Sequence, residues 1–184
     1  MPKFAGIDPS LTGSAVVTYN TETKEQLVAS FSSSPDKGTI QSKLARVQTL
    51  SDKIVGAVVQ DGVPLAVGIE GPAYSSNTGK VWDRAGLWWL VVQKLEDLGI
   101  TVIEIPPTSR AKYITGKGNA GKDTVLLEIA RNYADFDVKT NDQADALGIC
   151  AFIARLHDQA FDGDLPRTKT DAIAKLKKDI QWDQ

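Results

Sequence analysis

The stretch KFAGIDPSLTGSAVVTY, residues 3–19, decides the fold of this chain. Apolar residues fill its first part and β-branched residues its last part, and the Ser-Leu-Thr-Gly run between them, residues 10–13, has the composition of a turn. This pattern predicts two antiparallel strands, with Asp8 at the end of the first. A further strand at about 26–32 completes an antiparallel meander.

Helices and strands alternate beyond the meander. A helical repeat of apolar residues covers 40–59, and a short apolar run at 65–69 predicts a buried strand that ends next to Glu70. A second helix precedes a strand at 100–105. Further helices are predicted at about 109–114, 121–133 and 141–157. This order favours an α/β fold with a mixed five-stranded sheet, an antiparallel meander plus parallel strands, flanked by helices.

The composition is that of one folded domain. The chain has 184 residues, of which 42% are hydrophobic and 24% charged, values that exclude a disordered or fibrous protein. We expect a domain over 1–157 and a basic C-terminal appendage over 158–184, because the composition changes after the last predicted helix. Neither a membrane span nor a secretory signal pattern is present, so we expect no membrane association and a cytoplasmic location.

Cysteine, histidine and overall charge exclude several kinds of site. One cysteine, Cys150, rules out an internal disulfide and a thiolate zinc cluster, and one histidine, His157, leaves few nitrogen ligands for a transition metal. Any metal therefore depends on carboxylates. The net charge of −2 argues against a protein that coats DNA nonspecifically. Any binding of a polyanion must therefore depend on a local cluster of basic residues.

Acidic residues stand at the ends of two predicted strands and on the last predicted helix. Asp8 and Glu70 would project from the same sheet edge if their strands are parallel neighbours. Asp142 and Asp145 are spaced i, i+3 and share one helix face, although acids in a first helical turn also simply complement the helix dipole. Asp-Pro and Glu-Gly-Pro are likewise ordinary turn openers. The convergence of these acids favours one acidic pocket.

A pocket of carboxylates predicts a site for hard divalent cations. Each ionised pair at 4 Å repels by roughly 4 kcal/mol at an effective dielectric near 20, a cost that bound cations relieve. Oxygen ligands without histidine or cysteine suit Mg²⁺, with Mn²⁺ able to substitute, rather than zinc. Two such ions about 3.5 to 4 Å apart can activate a water and stabilise the departing oxygen of a phosphodiester. The acids therefore predict a nuclease.

Four segments of the chain resemble the RuvC family of Holliday-junction resolvases. They are GIDPSLTG at 6–13, VGIEGPAY at 67–74, PPTSRAKYITGKGNAGKDTV at 106–125 and NDQADALGICAF at 141–152, in the family's order and at similar separations. The resemblance implies a ribonuclease H-like fold and a homodimer that nicks two strands of a four-way DNA junction with magnesium. It further implies two sets of catalytic residues: metal-binding acids at Asp8, Glu70, Asp142 and Asp145, and basic groups near the scissile phosphate and DNA backbone at Lys112 and Lys122.

Two departures from the family leave the substrate range open. The loop after Asp8 is shorter than in typical bacterial members, and Tyr74 falls one position later than the aromatic residue that those members use at the junction centre. The shorter loops look more like phage-borne relatives, some of which cut branched DNA broadly. The alternatives are a ribonuclease H-like nuclease that cuts forks, flaps or RNA–DNA hybrids, and a junction-binding protein without catalysis.

Basic residues surround a glycine-rich run at 116–121. The run satisfies Gly-x-Gly-x-x-Gly, but it follows a predicted helix rather than a strand, and Lys122 precedes Asp123 rather than Ser or Thr, so no nucleotide cofactor is predicted. Four cations against one acid over 108–124 instead predict contacts with phosphates, with a plain surface loop as the alternative. The predicted DNA-binding residues are Tyr74, Arg110, Lys112, Lys117 and Lys122.

Trp88 and Trp89 lie in the apolar stripe of the second predicted helix. Aromatic residues in such a stripe pack in a core or an interface more often than they stack on DNA. Because two cuts in one junction call for two-fold symmetry, this helix is the predicted dimer interface. A basic helix over about 166–178 could touch DNA arms, or it could be a solvated amphipathic helix.

Overall fold

The computed structural model describes residues 2–72 and 80–179, and over that part the chain forms a mixed five-stranded sheet. The strands are β1 Lys3–Asp8, β2 Ser14–Asn20, β3 Gln26–Phe31, β4 Ala66–Glu70 and β5 Thr101–Ile105. They stand in the order β3-β2-β1-β4-β5. The β1–β2 and β2–β3 pairs are antiparallel, and the β1–β4 and β4–β5 pairs are parallel. The predicted meander with added parallel strands is confirmed.

Helices cover both faces of the sheet. They are α1 Ile40–Val59, α2 Val81–Asp97, α3 Pro107–Thr115, α4 Lys122–Asn132, α5 Asn141–Leu156 and α6 Arg167–Asp179. One hydrophobic cluster joins the sheet to α1 and α2, and a second joins it to α3, α4, α5 and α6. Within the described residues, no helix is long and apolar enough to cross a membrane.

The central strand β1 is buried on both faces because its side chains alternate between the two clusters. Phe4 packs with α5, whereas Ala5 and Ile7 pack with α1 and α2. A strand enclosed in this way has little freedom to shift, so the residue at its carboxyl end is held firmly. That residue is Asp8.

Helix α5 lies unusually close to β1 because Gly6 has no side chain. A Cβ at Gly6 would collide with the carbonyl oxygen of Ala146 and the backbone nitrogen of Cys150. The helix is buried almost all round, as its apolar sequence predicts, and Thr140 caps its start by accepting a hydrogen bond from the Gln143 backbone amide. The first turn of α5 is thereby placed beside the end of β1.

The C-terminal segment after 157 packs on the same core. Ala172 and Ile173 of α6 are buried in the cluster that contains α3 and α5. In the connection before α6, the Asp162 carboxylate accepts hydrogen bonds from the hydroxyls of Tyr113 and Tyr133, the latter at 2.8 Å. The division into a domain ending at 157 and an appendage stays a prediction, but this segment contributes side chains to the core.

Candidate active site

Three carboxylates from distant parts of the chain meet at one edge of the sheet. The parallel register pairs Ile7 with Ile69, so Asp8 and Glu70 follow at the same carboxyl edge. Asp145, in the first turns of α5, reaches the same point. One carboxylate oxygen from each of the three lies within 4.8 Å of the other two. We call Asp8, Glu70 and Asp145 the acidic cluster.

Asp142 lies next to the acidic cluster rather than inside it. It belongs to the first turn of α5, and its Oδ2 atom lies over Gly13, where a Cβ would be only 2.6 Å away. Its charge still acts on the cluster, because it contributes to the raised pKa of Asp8. The structure therefore brings three of the predicted acids together and places the fourth beside them.

The surroundings of Asp8 make its ionisation unfavourable. The pKa of Asp8 is raised to about 8, mainly by burial and further by the charge of Glu70, a hydrogen bond with Glu70 and the charge of Asp142. Arg110 acts in the opposite direction. A buried carboxyl surrounded by other acids binds a proton or a cation readily, and such environments are concentrated at functional sites.

Arg110 faces the acidic cluster from α3. Its Nη2 atom lies 2.7 Å from Glu70 Oε1, and its Nη1 atom contacts Asp145 Oδ1. The residue is only 9% exposed. Two buried atoms in this group have no hydrogen-bond partner, Glu70 Oε1 and Arg110 Nε, so the Glu70 contact is an attraction of charges without hydrogen-bond alignment. The sequence interpretation of Arg110 as a DNA contact did not anticipate this position.

The predicted lysines belong to α3, to α4 and to the glycine-rich loop between them. Lys112 pairs with Asp171 of α6 at 3.6 Å and is partly exposed, whereas Lys117 and Lys122 are exposed around the glycine-rich loop. In the parts of the chain the structure describes, no ion pair joins these lysines to the acidic cluster. Tyr74 lies outside the described residues.

The backbone of Glu70 is held by a tryptophan that the sequence analysis assigned elsewhere. The indole Nε1 of Trp88 donates a hydrogen bond to the Glu70 carbonyl oxygen at 2.9 Å. Trp88 is 9% exposed, whereas Trp89, which packs edge-on against it, is 65% exposed. Of the two tryptophans predicted to lie in a dimer interface, Trp88 is therefore buried beside the site and Trp89 is exposed.

The donor set of the acidic cluster fits a hard divalent cation. The ligands on offer are carboxylate oxygens, and one of them, Glu70 Oε1, is buried without a hydrogen-bond partner. Cys150 is fully buried in the core, where burial strongly raises the pKa of its thiol, and His157 lies at the other end of α5. Neither residue belongs to the cluster.

Comparison with curated proteins finds relatives of a single kind. The chain is 26% identical over 147 residues to "Crossover junction endodeoxyribonuclease RuvC" of Rickettsia prowazekii, covering 78% of this chain and 91% of that protein. It is 34% identical over 76 residues to the protein of the same name from Synechococcus sp. strain WH7803, covering 41% of this chain and 47% of that relative. The Synechococcus match thus spans about half of that protein's length. No family model matches the chain.

Solved structures with a similar fold include Holliday junction resolvases. The Thermus thermophilus RuvC structure matches with a TM-score of 0.68 at 22% identity, covering 84% of this chain and 96% of that one. T. thermophilus RuvC in complex with Holliday junction substrate matches with a TM-score of 0.66 at 17% identity, covering 87% and 98%. The yeast mitochondrial Holliday junction resolvase Ydc2 matches with a TM-score of 0.54 at 11% identity. The ribonuclease H-like fold class predicted from the sequence is confirmed.

Proposed function

We propose that this chain is a resolvase of the RuvC kind, a magnesium-dependent endonuclease that resolves four-way DNA junctions by paired nicks. The observation that carries the proposal is the acidic cluster itself. Asp8, Glu70 and Asp145 come from β1, β4 and α5 and offer oxygen ligands within 4.8 Å of one another. Functional sites of α/β folds lie at the carboxyl ends of parallel strands, and the acidic cluster lies at that edge.

The acids and Asp142 would hold the metal. Mg²⁺ ions bound there would activate a water and stabilise the departing oxygen of a phosphodiester, and Mn²⁺ is expected to substitute. The protein supplies rigid positions for the ligands. Asp8 is fixed by a fully buried strand, and the Glu70 backbone is held by Trp88. Asp142 would become a metal ligand after a rotation of its side chain, because its Oδ2 atom lies over Gly13 in the structure.

Cations on α3, on α4 and on the loop between them are proposed to hold the DNA backbone. Lys117 and Lys122 are exposed on the loop and helix that follow α3, and Lys112 is partly exposed. Lysines on a surface contact phosphates without reading bases, so recognition would depend on the shape of the DNA. Lys112 and Lys122 are the proposed catalytic helpers, and Lys117 a backbone contact.

The substrate and the assembly are also part of the proposal. The T. thermophilus structure with Holliday junction substrate supports branched DNA as the substrate here. We further propose a cytoplasmic location, in a bacterial cell or in the host of a phage. A homodimer would present two active sites to one junction. Trp89 and Trp82, which is 89% exposed, form an apolar surface on α2 that a second copy would cover.

The experiment is a cleavage assay on a labelled four-way junction, with and without Mg²⁺, for the wild-type chain and Asp8→Asn. We expect paired nicks that require Mg²⁺ and that Asp8→Asn abolishes. Asp137→Asn is the matched control, because Asp137 is an exposed acid paired with Lys139. Junction binding without any nicking would favour the non-catalytic alternative.

Matched fork, flap and RNA–DNA hybrid substrates test the substrate class in the same assay. We expect the four-way junction to be cut fastest. Equal or faster cleavage of forks or hybrids would move the function to a broader ribonuclease H-like nuclease.

A further inference from the structure

A buried arginine stands against the acids that are proposed to bind metal. Arg110 contacts Glu70 through Nη2 and Asp145 through Nη1, so one guanidinium spans two of the three carboxylates. The side chains of Arg110 and Asp145 are 11% and 5% exposed, and that of Glu70 is 16% exposed. Ion pairs with so little solvent are weakly screened and couple strongly to any other charge nearby.

The position of Arg110 is set by the packing of α3 against α5. Tyr113 and Ile114, three and four residues later, are buried on the same side of α3. Gly148 of α5 leaves room for this approach, since a Cβ there would collide with Ile114 and lie 3.8 Å from Arg110 Cγ. Because the stem of Arg110 is packed between these residues, its guanidinium has few alternatives to the acids in front of it.

We propose that Arg110 is the built-in counter-cation of the acidic cluster, a positioning residue that neutralises Glu70 and Asp145 and competes with divalent ions for them. The inference rests on the proposed metal site and deepens it. It assigns Arg110 to the acids, where the sequence interpretation assigned it to DNA. Because a bound metal must share or displace the guanidinium, the metal affinity is held below what the carboxylates alone would give.

The decisive measurements are metal affinity and thermal stability, not cleavage. Arg110→Gln removes the charge, Arg110→Lys keeps a charge that cannot span both acids, and Arg131→Gln is the control, since Arg131 is an exposed arginine whose side chain is 63% exposed. Mn²⁺ binding is measured by calorimetry, and the melting temperature is measured with and without Mn²⁺.

We expect Arg110→Gln to bind Mn²⁺ about tenfold more tightly than wild type and to melt at a lower temperature without metal. The Mn²⁺-induced rise in melting temperature should therefore be larger in Arg110→Gln than in wild type. Arg110→Lys should lie between the two, and Arg131→Gln should match wild type. An unchanged or weaker Mn²⁺ affinity in a folded Arg110→Gln protein overturns the proposal.

A double-mutant cycle tests the pairing of Arg110 with Glu70 even if the wild-type chain binds no Mn²⁺. Glu70→Gln, Arg110→Gln and the double variant are melted without metal. We expect the double variant to be more stable than the sum of the single effects predicts, because it leaves no unpaired buried charge between these two groups. Additive effects would overturn the pairing.

The two proposals fail in different ways. If wild type binds no Mn²⁺ and Asp8→Asn changes nothing, the proposed function fails while the cycle still decides the role of Arg110. If wild type binds Mn²⁺ and Arg110→Gln binds it no better, the inference fails while the proposed function stands.

Discussion

The surroundings of Asp8 lower the stability of the folded protein at neutral pH. Burial and neighbouring acids raise the pKa of Asp8 from 3.8 to about 8. The folded state therefore holds the proton more tightly than the unfolded chain. As the pH rises from about 4 to about 8, the unfolded chain loses this proton first, and the folded state loses stability relative to it.

Asp8→Asn tests this directly. Without divalent ions, the melting temperature of wild type should fall between pH 5 and pH 8 more steeply than that of Asp8→Asn. At pH 8 the variant should be the more stable protein, although we expect it not to cut DNA. Thermal melts across this pH range measure both effects. Parallel pH profiles for the two proteins would contradict the raised pKa.

Trp88 is the second residue whose effect is local and measurable. Trp88→Phe removes the indole hydrogen bond to the Glu70 carbonyl and should cost about 1 kcal/mol of unfolding free energy. We expect cleavage to slow several-fold with DNA affinity unchanged, because the Glu70 ligand is less firmly held. Denaturant titrations and single-turnover cleavage measure the two effects. Trp89→Phe, on an exposed neighbour, should leave the free energy of unfolding unchanged.

Whether helix α6 is an integral part of the domain can be tested by mutation. Ile173 is 7% exposed and belongs to the core cluster that includes α3 and α5. Ile173→Ala should lower the free energy of unfolding by about 2 to 4 kcal/mol if α6 is part of the domain. Leu127→Ala, at a position 48% exposed on α4, should cost much less. A near-neutral Ile173→Ala would support a detachable appendage beginning at 158.

Arg110 and Lys112 lie on the same helix, α3, but have different partners. Successive helical residues turn by about 100°, so side chains two positions apart point to nearly opposite sides of α3. Arg110 faces α5 and the acids, whereas Lys112 faces α6 and pairs with Asp171. One helix thus presents one cation to the acidic cluster and another to the surface.

At the scale of the whole molecule, DNA binding should be electrostatic although the chain carries a net charge of −2. Replacing Lys117 and Lys122 by Gln should lower the slope of log affinity against log salt by about 2. Affinity for junctions of different sequence should fall equally. Lys24→Gln is the control, because Lys24 is exposed in the turn between β2 and β3, at the opposite edge of the sheet from Asp8. Fluorescence anisotropy over a range of salt concentrations measures the slopes.

The apolar surface of α2 gives a prediction about assembly. Trp82→Ser together with Trp89→Ser should convert a dimer into a monomer without loss of stability of the single chain, because both side chains are exposed in it. Analytical ultracentrifugation measures the change. A dimer that persists in the double variant would place the interface elsewhere.

Much of this molecule follows from the sequence because alternation and turns are local signals. The run from Lys3 to Tyr19 determines a hairpin, and apolar periodicity determines α1, α2 and α5. Acids at the ends of β1 and β4 were expected to meet, since parallel neighbours end at one edge, and they do. The signal for Arg110 was also present, because Tyr113 and Ile114 mark its side of α3 as the buried one.

Only the tertiary structure decided which charges face each other. The sequence by itself determined the strands, the helices and the sheet edge that carries the acids, because backbone propensity and hydrophobic alternation act over a few residues. It did not determine that Asp142 lies over Gly13, that Arg110 spans Glu70 and Asp145, or that Trp88 supports Glu70. Those contacts depend on the rotation and closeness of packed helices. These are set by contacts such as those at Gly6 and Gly148, between segments far apart in the chain.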